Sequence, residues 1–272
     1  AFLRFMDWVS VNASPQRDWS DRRLPTHVFQ QGILNRRAPA PGADGDRQTG
    51  LAFEYMVALC NAVDRDMWIN VPHLATDDFI TKLAQLIRFG SDGVNPYTNT
   101  IANPVFPPLK TNLNVFVEFS NEIWSGGFAF AQGDWAQSEA NLQGITRSRF
   151  NARRFCDTWR LFQQVFAGQT SRVVRVGAVF TGNQTYSEEY LQEIATYGAT
   201  LSPPQTADIV APAIATAQVV PFMPATPQAA PTLRRLAALR PTTIALMHGP
   251  TFKGDGAAAL NGLADHYAAH PQ

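Results

Sequence analysis

With only two cysteines in 272 residues, the chain has no disulfide framework and no cysteine-rich metal site to organise it. Cys60 and Cys156 fall in helical patterns among apolar neighbours. That placement predicts two buried thiols in preference to a disulfide, and neither has metal-ligand spacing. No apolar run approaches the roughly 18 residues of a membrane-spanning helix, so no membrane partner is expected. Net charge is also missing: 22 acidic and 22 basic residues cancel, and a pI near 7.2 gives no basic field for nucleic acid. There is no phosphate-binding glycine loop and no Gly-x-Ser-x-Gly elbow, so nucleotide and serine-hydrolase chemistries have no residue support and no cofactor is expected. A basic-then-apolar leader is absent too. The chain begins at Ala1, already in strand-like sequence, and the expectation is a secreted or extracellular protein whose signal peptide is not in this chain. At 29.9 kDa it is sized for one domain over residues 1–272, within the range of a single (β/α)8 barrel.

The most informative stretch runs from Asn114 to Trp124. Val115, Phe116, Val117 and Phe119 are β-branched or aromatic, with turn residues on both sides, which predicts a short buried strand. Glu118 interrupts it and needs a partner inside the fold, because an unpaired carboxylate is costly there. Glu122 can instead sit at the strand's open end, where α/β barrels do chemistry.

Ser120-Asn121-Glu122, between this strand and Trp124, resembles the Asn-Glu signature that closes the fourth barrel strand in clan A glycoside hydrolases. Phe2-Leu-Arg-Phe-Met-Asp-Trp8 and Met67-Trp-Ile-Asn-Val-Pro-His73 strengthen the likeness to bacterial cellulase-like barrels, which covers roughly residues 1–180. The resemblance implies a TIM-barrel-like (β/α) repeat acting on a β-linked glycan, with Glu122 as general acid/base and Asn121 bonding the sugar's 2-hydroxyl. It also matches Arg4 to an arginine that supports the catalytic nucleophile. From the residues alone, Arg4 can equally be a structural ion-pair partner of Glu118 or Asp7.

Taken in order, residues 2–8 predict the first strand, with Arg4, Met6 and Trp8 on one face. Residues 9–50 read as a long loop, in which Trp19, Arg17, Arg22 and Arg23 either line a substrate groove or form a solvated surface. A helix over 51–64 precedes a strand over 67–71 that ends at His73, either a ligand to substrate or carboxylate or a histidine bonded to backbone. Thr76 caps the next helix, and the loop from Gly90 to Asn112 carries no expected chemistry. Beyond Glu122 come Trp124, Phe128, Phe130 and Trp135, of which Trp124 is the expected sugar platform. Helices at 149–167, 188–197, 232–239 and 257–268 alternate with strands at 173–180, 208–214 and 242–247.

If the strand ending at Glu122 is the fourth, as the resemblance implies, the six strands are strands two to seven of eight. Such a barrel is incomplete, and its edges call for a partner chain or missing segments. The nucleophile is missing as well. Where clan A enzymes place a glutamate after strand seven, this chain reads Ala245-Leu-Met-His-Gly-Pro250, with His248 at the aligned site, and no glutamate follows Glu193. Three accounts stand: a second acid from elsewhere, such as Asp255; a catalytically inactive carbohydrate-binding or structural protein; or a departure from the ancestral register after about residue 200. His266 and His270 have helical chelating spacing but no third ligand, so no metal is assigned.

Overall fold

The computed structural model describes residues 1–28, 30, 49–127, 130–180, 182–212, 229–244 and 252–269. The fold is α/β. Strands β1 (Phe2–Arg4), β2 (Asp66–Val71), β3 (Val115–Phe119), β4 (Val173–Val179) and β5 (Ile209–Pro212) form one parallel sheet in sequential order, curled into half a barrel. The helices are α1 (Met6–Val9), α2 (Phe53–Val63), α3 (Asp77–Phe89), α4 (Ala131–Leu142), α5 (Arg147–Val165), α6 (Gln184–Thr200), α7 (Ala229–Ala238) and α8 (Gly256–Ala269).

Alternation along the strands separates two faces. Outward residues such as Met67, Ile69, Val115, Val117 and Phe119 join the main core under the helices. Inward residues Trp68, Phe116, Val176 and Ile209 make a second, smaller cluster with Phe2 and Val174. The expected aromatic stripe of α5 is buried against the sheet: Phe155 meets Phe119 edge-on, and Trp159 Nε1 donates to the Val117 carbonyl at 3.0 Å. Thr76 caps α3 as its sequence predicts, accepting from Phe79 N. Both cysteines are free and buried, and desolvation pushes each thiol up to about 12.

Three expectations are corrected, and one helix is added. The first strand stops at Arg4, because Val9 N bonds Phe5 O and residues 6–9 close into a helical turn, so Arg4, Met6 and Trp8 do not share a strand face. The sixth strand does not extend the parallel sheet among the described residues. Instead β6 (Thr243–Ile244) pairs antiparallel with β7 (Phe252–Lys253), and the ladder continues through Gly254 N to Thr242 O and Gly256 N to Pro241 O. Helix α4, which the sequence did not announce, follows the Glu122 turn.

The third correction concerns the strap formed by residues 14–28. Trp19 is 7% exposed, packs edge-on against Phe79 of α3, and donates to the Val94 carbonyl. Arg22 forms a fully buried ion pair with Glu54 of α2 at 3.0 Å and also bonds the Gly93 and Val94 carbonyls. Arg23, buried, bonds the Gly50 carbonyl. These side chains tie the strap to α2 and α3 and line no groove. A planar guanidinium suits this work, since it satisfies one carboxylate and several carbonyls together.

Candidate functional site

The carboxyl end of the sheet gathers most of the residues singled out from sequence. Glu118 points into the concave face and is 1% exposed. Arg4 Nη2 lies 2.9 and 3.2 Å from its two oxygens, and Trp68 Nε1 donates to Oε2 at 2.8 Å. This paired, hydrogen-bonded arrangement offsets the cost of burying a carboxylate. The same Nη2 reaches Asn121 Oδ1 at 3.1 Å, while the guanidinium lies 5.3 Å from the Trp68 ring centre. Arg4 is thus an ion-pair partner of Glu118 and also a contact of Asn121.

Asn121 is nearly buried and its amide is oriented by its bonds. Its Oδ1 accepts from Arg4, its Nδ2 donates to Asn12 Oδ1 at 3.0 Å, and its carbonyl accepts from Gln132 Nε2 at 2.8 Å. On either side of it the backbone is left-handed, with φ of 61° at Ser120 and 43° at Glu122. Each such residue costs roughly 1 kcal/mol or more, and surrounding bonds must hold it. Here Ser120 N donates to Val71 O, Asn70 Nδ2 donates to Ser120 O at 2.7 Å, and Ser125 N closes the turn onto Glu122 O. Glu122 itself is half-buried. Of the six described non-glycine residues with positive φ, four (Ser10, Ala13, Ser120 and Glu122) follow β1 or β3 at this end. Strain therefore concentrates where ligands bind in parallel α/β sheets.

Comparison with protein-family models, curated proteins and solved structures found no match.

His73 follows β2 and is 4% exposed, its ring edge-on to Trp135 with centres 5.3 Å apart. Its Nδ1 has no partner among the described residues, and burial pushes its pKa down to about 4. The ring is neutral at pH 7 and its packing is aromatic, not a bond to carboxylate or backbone through Nδ1. Trp124 is 7% exposed and stacks on Phe180 at 5.9 Å, with planes 5° apart, so one of its faces is occupied by protein. Trp8 presents the more open indole, 37% exposed and edge-on to Phe5. Asp255 caps α8, its Oδ1 accepting from Ala258 N. His248, Phe128, His270 and the His266 side chain lie outside the described residues. Among the described residues, no group of three or more His, Cys, Asp or Glu is arranged to hold a metal ion.

Sequence reasoning did not single out Asn12, Asn70 or Gln132. Asn70 carried a usable signal, a polar residue sharing strand parity with Trp68 on the concave face. Asn12 and Gln132 carried none, because each lies in a segment whose path becomes apparent only once the chain is folded.

Proposed function

We propose that this protein is a glycoside hydrolase-like enzyme acting on β-linked glycans, with Glu122 as general acid/base. The five parallel strands would then be strands two to six of a TIM-barrel-like repeat. The observation that carries the reading is the strained turn after β3, which presents Glu122 at the ligand-binding end of the sheet beside an Asn121 fixed by Arg4. A half-buried carboxyl in such a place can exchange a proton with a leaving oxygen. In this reading Asn121 retains one amide hydrogen for a sugar hydroxyl, since a single donor bond of Nδ2 is spent on Asn12. Trp8 supplies the open apolar face and Trp124 the part that Phe180 leaves uncovered, His73 contributes a neutral ring packed on Trp135, and an extracellular glycan is the natural substrate.

One sequence feature favours a second reading. Retaining hydrolysis needs a second carboxyl about 5 to 5.5 Å from the first, and the strand-seven site aligned with it holds His248. A carbohydrate-binding or structural protein on the same fold would need no second acid.

The deciding experiment is hydrolysis of a panel of β-linked oligosaccharides and aryl β-glycosides by the wild-type chain and by Glu122→Gln. The enzyme reading expects wild-type turnover that falls by about 100-fold or more in the variant. Folded wild type that binds oligosaccharide and turns over none of the panel would establish the second reading.

A further inference from the structure

We infer that Gln132, acting with Asn12, is the positioning residue that holds the Asn121–Glu122 turn in its working conformation. Gln132 is fully buried in the first turn of α4 and bonds in three directions. Its Nε2 donates to the Asn121 carbonyl at 2.8 Å and to Asn12 Oδ1 at 3.0 Å, while its Oε1 accepts from Ala13 N at 2.9 Å. Asn12 Oδ1 in turn accepts from Asn121 Nδ2. One side chain therefore joins the loop after β1 to the turn after β3. Three left-handed residues sit at its contacts: Ala13 directly, and Ser120 and Glu122 on either side of Asn121.

The neighbouring residues of α4 brace the same turn. A Cβ on Gly133 would lie 1.3 Å from the Ser125 carbonyl oxygen, so helix and turn are in direct backbone contact. Asp134 Oδ2 accepts from Gly127 N at 2.9 Å. A left-handed serine and glutamate next to each other's neighbour persist only when over-determined by their surroundings. Gln132 supplies the bond to the residue between them. Its amide is suited to this because it offers two donors and an acceptor from one rigid plane. A glutamate there would keep the acceptor for Ala13 and lose both donors.

The kinetic part of the test rests on the hydrolase reading; the spectroscopic part does not. Backbone carbon shifts and HN–Hα couplings of Ser120 and Glu122 report left-handed geometry directly. Asp64, left-handed at φ 53° after α2, is an internal control remote from the clamp. Gln132→Ala is expected to lose the left-handed signature at Ser120 and Glu122 while Asp64 keeps it. Should that variant fold poorly, two substitutions at half-buried Asn12 decide: Asn12→Ala is expected to lose the signature, and Asn12→Asp, which keeps both acceptor bonds, to retain it. A folded Gln132→Ala or Asn12→Ala in which both residues stay left-handed overturns the inference. On an aryl β-glycoside that wild type hydrolyses, Gln132→Ala is expected to lower kcat by about 100-fold with KM little changed, the signature of a misplaced acid. A chain that hydrolyses nothing removes the hydrolase reading and leaves the clamp to be judged by the spectra alone.

Discussion

At the scale of single residues, burial dictates what each polar group does. Glu118 in an apolar strand had to find a counter-charge, and that need was legible in sequence; Arg4 was among the readings offered for it, and the structure selects Glu118 over Asp7. The left-handed Ser120 and Glu122 were not, since neither serine nor glutamate announces positive φ as glycine does. His73 gives a measurable consequence. Its folded pKa, near 4, lies below the ordinary 6.5 because the buried ring resists charge. The unfolded chain therefore binds the extra proton between those values, and the stability associated with neutral His73 is complete above pH 6.5 and lost as pH falls to 4. From pH 7 to 4 this single residue should cost about 3 kcal/mol. Urea denaturation of wild type and His73→Phe across that range should show the stability difference between them moving by this amount; parallel curves would show that the ring stays solvated.

At the scale of elements, apolar periodicity was a sound guide wherever packing is one-sided. Helices α2, α3 and α5 and strands β2, β3 and β4 follow their patterns because each must bury a defined stripe or face. Periodicity misled at the first strand, where alternating Phe2, Arg4, Met6 and Trp8 continue a strand-like pattern into a helical turn closed by Val9 N. It was silent at α4, whose sequence is polar and includes Gly133, so tertiary contact with the Glu122 turn and with α5 sustains it. That dependence makes Gly133 a sensitive position. Gly133→Ala should destabilise the protein by about 3 kcal/mol or more, since its methyl meets backbone that has nowhere to go. Gly262→Ala in α8, which meets nothing within 4 Å, should stabilise by up to about 1 kcal/mol. Chemical denaturation of the two variants measures both, and equal effects would contradict the close approach.

At the scale of the whole molecule, five consecutive parallel strands carry helices over their convex face. The alternation of strands and helices was readable from α2 to β5 apart from α4, while the antiparallel turn-back of β6 was not, because pairing direction is fixed by the partner strand and not by the strand's own composition. Stability should grade accordingly. Amides of β2, β3 and β4, paired on both sides, are expected to exchange with solvent more than about tenfold slower than those of β6 and β7. Hydrogen-exchange mass spectrometry reads this peptide by peptide, and equal protection of the two sheets would refute the grading. No helix among the described residues is long and apolar enough to cross a membrane.

The strap adds a consequence in time. Arg22 leaves the ribosome well before its partners: Glu54 follows 32 residues later, and the Gly93 and Val94 carbonyls 71 and 72 residues later. Until the turn after α3 has emerged, the arginine lacks its Gly93 and Val94 acceptors and Trp19 has no Val94 carbonyl to bond. The earliest-made loop is thus among the last parts of the amino-terminal half to lock. Its full set of bonds, to α2 and to the turn after α3, can close only after both exist.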